Sequence, residues 1–180
     1  IPFLPIYLLE LGVPKADVAL WSGLVFGITF LIAGIMAPIW GKIADNKGKK
    51  RMALRAGFGI AVCYVLIGLV TDQYQLLMGR ALVGFANGFY PAAMTMVSLS
   101  VDEKQVGRAL GIFQTGLILG NVIGPFLGGA VESVVGMRPV FYVSGVAVLI
   151  ATLAVLFFVK EPKLHAVGTD GKEQSAQPTK

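Results

Sequence analysis

This 180-residue chain has few of the residues from which most enzyme and metal sites are built. It contains one cysteine, Cys63, and one histidine, His165. A single cysteine excludes a disulfide framework within the chain, and one histidine leaves no zinc-ligand spacing. The sequence also has no nucleophile–base pair and no cofactor-binding loop. We therefore predict that the protein is not an enzyme and needs neither a metal nor a cofactor.

Charged residues are scarce as well. They make up 14% of the chain, compared with about 25% in an ordinary soluble domain, whereas hydrophobic residues make up 56%. The apolar runs are about 20 residues long, which matches the ~30 Å hydrocarbon core of a bilayer. Basic residues cluster between these runs and form no nucleic-acid-binding patch. The composition thus excludes a nucleic-acid partner and predicts a multi-pass membrane protein.

The apolar runs predict six membrane spans. We expect them at about 1–11, 17–40, 53–71, 74–100, 107–131 and 139–159. The first run is too short to cross a bilayer and opens on Ile1, so we expect it to be the outer end of a helix that begins earlier. A signal peptide is the competing interpretation, but no basic region or small-residue cleavage site is present. Residues 1–162 should form a transmembrane bundle, and the polar residues 163–180 a disordered loop.

Lysine and arginine are distributed unequally between the two sides of these spans. Ten lie in or beside the 2–3 and 4–5 connections or at the end of span six: Lys42, Lys47, Lys49, Lys50, Arg51, Arg55, Lys104, Arg108, Lys160 and Lys163. The opposite side has only Lys15 and Arg138. Because short basic loops stay in the cytoplasm, we expect the 2–3 loop, the 4–5 loop and the tail to be cytoplasmic. The protein should lie in a plasma or bacterial inner membrane.

The connection between spans two and three holds a single acid, Asp45, among five basic residues. One interpretation is a stop-transfer cluster that only fixes topology. The other is a functional loop, in which Asp45 forms an ion pair or caps a helix N-terminus. Gly41 and Gly48 frame Asp45 and should permit a tight cytoplasmic turn between them.

Arg80 is the one charge inside the fourth span. An arginine at depth costs at least ~2.5–3.5 kcal/mol on insertion scales, so it usually faces a cavity or a partner. The alternative is that Arg80 extends towards the outer headgroups. Helical spacing places Arg80, Gly84, Asn87 and Pro91 on one face, which favours a polar pathway along that face.

Glycines recur every four residues in the fifth span, at positions 116, 120, 124 and 128. Such a stripe lets a neighbouring membrane helix approach to backbone contact. Pro125 lies within it and should bend the helix and free a carbonyl group. We expect this helix to pack closely and to flex.

Three of these patterns resemble signatures of the major facilitator superfamily. Its 2–3 loop signature, G-x-x-x-D-[RK]-x-G-[RK]-[RK], is matched at Gly41, Asp45, Gly48, Lys49 and Lys50, with Asn46 in place of the usual basic residue. Its fourth-helix pattern R-x-x-x-G is matched at Arg80 and Gly84. Its fifth-helix signature G-x-x-x-G-P-x-x-G-G is matched at Gly120, Gly124, Pro125, Gly128 and Gly129.

The resemblance implies an all-α membrane fold, the N-terminal six-helix bundle of a 12-helix transporter with its first helix truncated. It implies that the Asp45 loop is a gate that holds the two halves together in the outward-facing state. Asp102 or Glu103 could be further partners of this gate. It also links Arg80 to proton coupling, and it implies that the 120–129 motif limits leak and bends the helix, as in the drug/proton antiporters.

Candidate substrate contacts are the polar and aromatic residues of the spans. They are Tyr7, Asn87, Tyr90, Gln114 and Asn121, with Phe85, Phe89 and Phe113 as additional aromatic surface. Gln114 and Asn121 share a helix stripe and could bind a ligand or equally tie helices together.

We therefore expect a proton-driven exporter of lipophilic, often cationic, drugs that works by alternating access with a second six-helix half. The proton gradient would supply the energy, and the partners would be the substrate, protons and the bilayer. The alternatives are a transporter of the same fold for a defined metabolite, such as a sugar or an amino acid, and a non-transporting membrane scaffold or sensor.

Overall fold

The computed structural model describes residues 3–159, and every regular element in that range is helical. The α-helices are α1 (Leu4–Glu10), α2 (Val18–Lys47), α3 (Lys49–Gly68), α4 (Gln73–Ala86), α5 (Phe89–Leu99), α6 (Val106–Val135) and α7 (Met137–Phe158), with a 3₁₀ turn at Glu103–Gln105. The predicted loop at 163–180 lies outside the described residues.

Five segments are long and apolar enough to cross a membrane. They are Val18–Lys47, Lys49–Gly68, Gln73–Leu99, Glu103–Val135 and Met137–Phe158. These are the predicted spans two to six, so the all-α, multi-pass class is confirmed. The seven residues of α1 form the described part of the first span and pack against α2.

The second span is longer than predicted. Helix α2 continues through Gly41 to Lys47, and the chain turns only at Gly48, whose φ of +97° is reached readily by glycine alone. The prediction of a turn that begins at Gly41 is wrong. Hydropathy marks where the apolar segment ends, whereas a helix can continue beyond the bilayer on charged residues.

The fourth span is two helices rather than one. α4 ends at Ala86, Gly88 has φ +136°, and α5 begins at Phe89. Pro91 accounts for this position, because its ring clashes with the carbonyl of Asn87 and it has no N–H to donate. The predicted continuous face from Arg80 to Pro91 is therefore wrong, and its two ends line different cavities.

The core lies where α3 meets α1, α4 and α7. Its fully buried side chains include Tyr7, Leu8, Ile67, Leu76 and Met137. A second, smaller cluster of Ala53, Ala92 and Met96 joins α3 to α5.

Glycines permit the closest helix contacts in the bundle, but the glycine stripe of the fifth span does not form these contacts. A Cβ at Gly57 would lie 2.1 Å from Oγ1 of Thr152, and one at Gly84 would lie 2.5 Å from the carbonyl oxygen of Thr29. By contrast, a Cβ at position 116, 120 or 124 would have no neighbour within 4 Å in the described part of the chain. The expectation that this stripe packs against a neighbouring helix is not met within residues 3–159. Only its last member, Gly128, is in contact, with Phe3.

Helices α2 and α6 lie at the periphery of the described bundle. No residue of α6 is buried, and only Val25 and Ala44 of α2 are. The exposed side chains of α6 include Phe126 and Val134, at 78% and 81%. These two helices thus have large apolar faces that the described residues do not cover.

The connections that hold most lysine and arginine lie at one end of the bundle. This end, called the basic end below, carries Gly48 and the 3₁₀ turn at Glu103–Gln105. Lys50 Nζ donates to the carbonyl of Leu156 over 2.9 Å there, which joins the start of α3 to the last turn of α7. The opposite end carries the α1–α2, α3–α4 and α6–α7 connections.

Candidate functional site

Arg80 lies inside the bundle, about 10 Å along α4 from the helix start at Gln73. Its Nε is buried and has no hydrogen-bond partner among residues 3–159. The side chain lines a cavity of about 390 Å³. Between the two predicted alternatives, this placement corresponds to a cavity-facing arginine rather than one directed at the headgroups.

The Arg80 cavity is formed by α1, α3, α4, α6 and α7. Its walls are largely apolar, and three of its lining residues besides Arg80 carry polar groups: Tyr64, Asn121 and Ser144. Within the described chain no carboxylate lines it. The cavity therefore presents one cation and a few neutral hydrogen-bonding groups in a setting of low dielectric constant, where unpaired charge interacts strongly with any ion that enters.

The fifth-span motif forms one wall of this cavity. Gly120, Gly124, Pro125 and Gly128 line it together with Asn121, so the sequence-predicted residues of spans four and five meet at one site. The bare glycine surface leaves open space here, and Gly129 lies beside Phe3 at the edge. Helix α6 is continuous through Pro125.

Tyr64 and Ser144 are cavity residues that the sequence analysis missed. Both lie in ordinary stretches of apolar spans, and the Ser144 hydroxyl donates to the carbonyl of Val140 over 2.7 Å, as serines in membrane helices often do. No local signal distinguishes them. Only the packing of α3 against both α4 and α7 brings them to the cavity that Arg80 lines.

Three other predicted contact residues are engaged in the structure of the bundle. The Tyr7 hydroxyl donates to the carbonyl of Ile67 over 2.9 Å, and its side chain is fully buried. Gln114 donates to the hydroxyl of Tyr90 over 2.8 Å and so ties α6 to α5. Of the two uses considered for Gln114, this geometry corresponds to the helix tie. Tyr7 is inaccessible to a ligand in this conformation.

Asn87 lies at the break in the fourth span between Phe85 and Phe89, whereas Phe113 of α6 stacks on Tyr90. Asn87 Oδ1 accepts the N–H of Gly88 over 2.8 Å. Asn87 also lines a second cavity, of about 310 Å³, with Trp40, Gly41 and Lys49. This second cavity lies between α2 and α5 at the basic end, so Asn87 and Arg80 do not share a site.

The loop signature is folded as the end of α2 and the start of α3. Asp45 forms an ion pair with Lys49 one turn later. Both flank the turn at Gly48, and Asp45 is exposed. Asp102 and Glu103 are exposed too, and neither forms an ion pair within the part of the chain described here.

Comparison with known proteins decides the family. The profile of the Major Facilitator Superfamily matches residues 1–180. The chain belongs to the Major Facilitator Superfamily. It is similar to multidrug resistance protein MdtG of Proteus mirabilis (strain HI4320), with 44% identity over 161 residues, and to MdtG of Dickeya zeae (strain Ech586), with 42% identity over 161 residues. Each match covers 89% of this chain and 40% of the relative.

This major facilitator chain thus spans about 40% of the length of the curated relatives it matches. Its Arg80 cavity opens beside the uncovered face of α6. A solute held there would contact apolar side chains, the glycine surface of α6 and a single guanidinium group.

Proposed function

We propose that the full-length protein is a secondary transporter that exports lipophilic compounds by alternating access, driven by protons. Membership in the Major Facilitator Superfamily and similarity to proteins named for multidrug resistance support the transporter class. The observation that carries the proposal for this chain is Arg80, a half-buried cation with a buried, unpartnered Nε, at the wall of a cavity inside a membrane bundle.

The physical argument starts from the cost of that charge. An arginine in a spanning segment is unfavourable by at least ~2.5–3.5 kcal/mol, so it needs a compensating interaction. Its positive charge would favour the deprotonated form of any carboxyl group that faces the same cavity. Proton release and conformational change could then be linked through Arg80. That carboxyl would lie outside residues 3–159, and it would also balance the charge of a cationic substrate.

Proton movement would supply enough work for accumulation. One elementary charge that moves across the membrane potential is worth ~2.3 kcal/mol per 100 mV, to which a pH gradient adds. A factor of ten in concentration corresponds to about 1.4 kcal/mol. A single proton per molecule of a neutral substrate would therefore support a gradient of more than tenfold. Exchange of one proton for one monovalent cation moves no net charge, so the pH gradient alone would drive it.

We propose that the basic end is cytoplasmic. The bias of lysine and arginine towards this end supports that orientation, which is the one the positive-inside relation favours. The Asp45–Lys49 pair would then lie at the cytoplasmic surface of a plasma or bacterial inner membrane, where it would contribute to a gate between two halves.

A second six-helix half would cover the exposed faces of α2 and α6. Their apolar side chains face either lipid or protein, but the open glycine surface at 120 and 124 beside the Arg80 cavity needs a protein wall if solutes are to pass without leak. The substrate would then contact Asn121, Tyr64 and Ser144 from this half.

Efflux from energised cells tests the proposal. Cells that express the full-length protein are loaded with a fluorescent lipophilic cation, and export is followed before and after a protonophore is added. We expect export to stop with the protonophore and not with an inhibitor of ATP synthesis at constant proton gradient. Export that persists would refute proton coupling. Uptake of a sugar or an amino acid without drug export would favour the metabolite alternative, and no movement of any solute would favour the scaffold.

A further inference from the structure

The break in the fourth span leaves backbone carbonyls that need partners. A helix that ends at Ala86 has four carbonyls without the usual amide donors one turn later. Two of them, Val83 and Gly84, accept the N–H of Asn87, at 3.0 and 3.3 Å. The carbonyls of Phe85 and Ala86 remain, in a spanning segment where an unpaired group costs several kcal/mol.

Two side chains from other helices supply these partners. Trp40 of α2 donates its Nε1–H to the Phe85 carbonyl over 2.8 Å, and Arg55 of α3 donates from Nη2 to the Ala86 carbonyl over 3.3 Å. The Arg55 guanidinium also lies over the indole of Trp40, with Cζ 3.6 Å from the ring centroid. The two donors are therefore stacked on each other and hold adjacent carbonyls of one helix end.

Arg55 has no other described role. Its Nε is buried and has no hydrogen-bond partner in the described range 3–159. Within that range, the indole of Trp40 is the aromatic ring that packs against its guanidinium group. A cation in this position is stabilised by the ring and by the carbonyl dipoles at the C-terminus of α4, both of which attract positive charge.

We propose that Arg55 and Trp40 are positioning residues that hold the break open and fix the angle between α4 and α5. Since α4 carries Arg80 and α5 lines the cavity at the basic end, the pair sets the geometry between the two cavities. The part that concerns transport rests on the function proposed above. The capping of the break does not, so the two can fail separately.

A variant with a straight fourth span isolates this role. Gly88→Ala together with Pro91→Ala removes the positive φ and restores an N–H at position 91. Phe85 and Ala86 could then bond to the amides of residues 89 and 90 within one continuous helix. In this background Arg55 and Trp40 should no longer be needed as donors.

The first measurement is a thermal-stability cycle on the purified full-length protein. Arg55→Gln should lower the unfolding midpoint clearly in the native sequence and much less in the G88A/P91A background. Trp40→Phe, which keeps the ring but removes the Nε1–H, should behave in the same way and serves if Arg55→Gln folds poorly. Arg108→Gln, the loss of an exposed arginine at the same end, is the control and should have no effect in either background. Equal losses in both backgrounds would overturn the capping role.

The second experiment measures the geometry between α4 and α5 and its consequence for export. Spin labels at positions 74 and 99 should give a narrow distance distribution in the native protein and a broad one in Arg55→Gln. The maximal export rate should fall about tenfold, the effect of losing one hydrogen bond to a charged group, with little change in the half-saturating concentration. Arg55→Lys should recover part of that rate. An unchanged distance distribution, or native export by the straightened variant, would overturn the positioning role.

Discussion

At the scale of single residues, Arg80 carries most of the functional argument. Its side chain is half-buried, its Nε is buried without a partner among residues 3–159, and it faces a cavity whose lining there includes no carboxylate. We predict that Arg80→Ala reduces export to the level of cells without the transporter while expression in the membrane stays normal, because the charge would no longer favour the deprotonated form of a carboxyl group that faces the cavity. Arg80→Lys should keep partial activity, since it keeps the charge but not the fork of donors.

The check is export rate normalised to membrane abundance, with Arg108→Ala as the control for loss of an exposed arginine. Full export by Arg80→Ala would mean that the cavity needs no cation and would remove the main support for proton coupling through this site.

Asp45 offers a second test at this scale. Its partner is Lys49, one turn away across Gly48, and the carboxylate is exposed, so the pair should contribute little to stability. We predict that Asp45→Asn leaves the unfolding temperature unchanged but shifts the transporter towards the inward-open state. Reduced cysteine labelling at the opposite end would report that shift. Asp17→Asn, the loss of an exposed carboxylate outside the gate, is the control, and the same labelling in both variants would leave Asp45 without a gating role.

At the scale of elements, the glycines divide into those that pack and those that line space. Gly84→Ala would place Cβ 2.5 Å from the Thr29 carbonyl, a backbone atom that cannot move away easily. We predict a destabilisation of about 1–3 kcal/mol, typical of overpacking. Gly120→Ala meets nothing within 4 Å in the described chain and should be neutral, or stabilising by up to about 1 kcal/mol through helix propensity.

Thermal unfolding of the two full-length variants measures this difference. If a second half packs on the glycine stripe, Gly120→Ala would destabilise as much as Gly84→Ala does. That result would show that position 120 is closely packed in the full-length protein, although it has no such neighbour in the described bundle.

Another lesson at this scale concerns the fourth span. Its hydropathy is continuous and gives no sign of a break. Pro91 accounts for the break at 87–88, and Trp40 and Arg55 donate to the carbonyls that the break frees. These donors are 45 and 31 residues away in sequence, so no local pattern could have indicated them.

At the scale of the whole molecule, orientation is the property most open to direct measurement. We predict that, in intact cells, a membrane-impermeant maleimide labels Lys15→Cys and not Lys47→Cys, because the basic end should be cytoplasmic. The experiment uses a Cys63→Ala background, although Cys63 is buried. Permeabilised cells should show labelling at both positions. Labelling at position 47 alone in intact cells would contradict the proposed topology and indicate the opposite orientation.

The sequence by itself determined the five full membrane spans within residues 3–159, their order and the charge difference between the two ends of the bundle. These properties depend on the local cost of moving each segment from water into hydrocarbon, which composition sets directly. It also singled out Arg80 and the 120–129 motif, each through its resemblance to a family signature. Both line one cavity.

Only the tertiary structure decided which of these residues are free to act. Tyr7 and Gln114 are bonded within the bundle, Tyr64 and Ser144 join the cavity, and Gly84 rather than Gly120 allows close contact. The physical reason is that burial, hydrogen-bond satisfaction and cavity shape are properties of pairs of helices. They depend on groups far apart in the chain, whereas hydropathy and charge act on each segment alone.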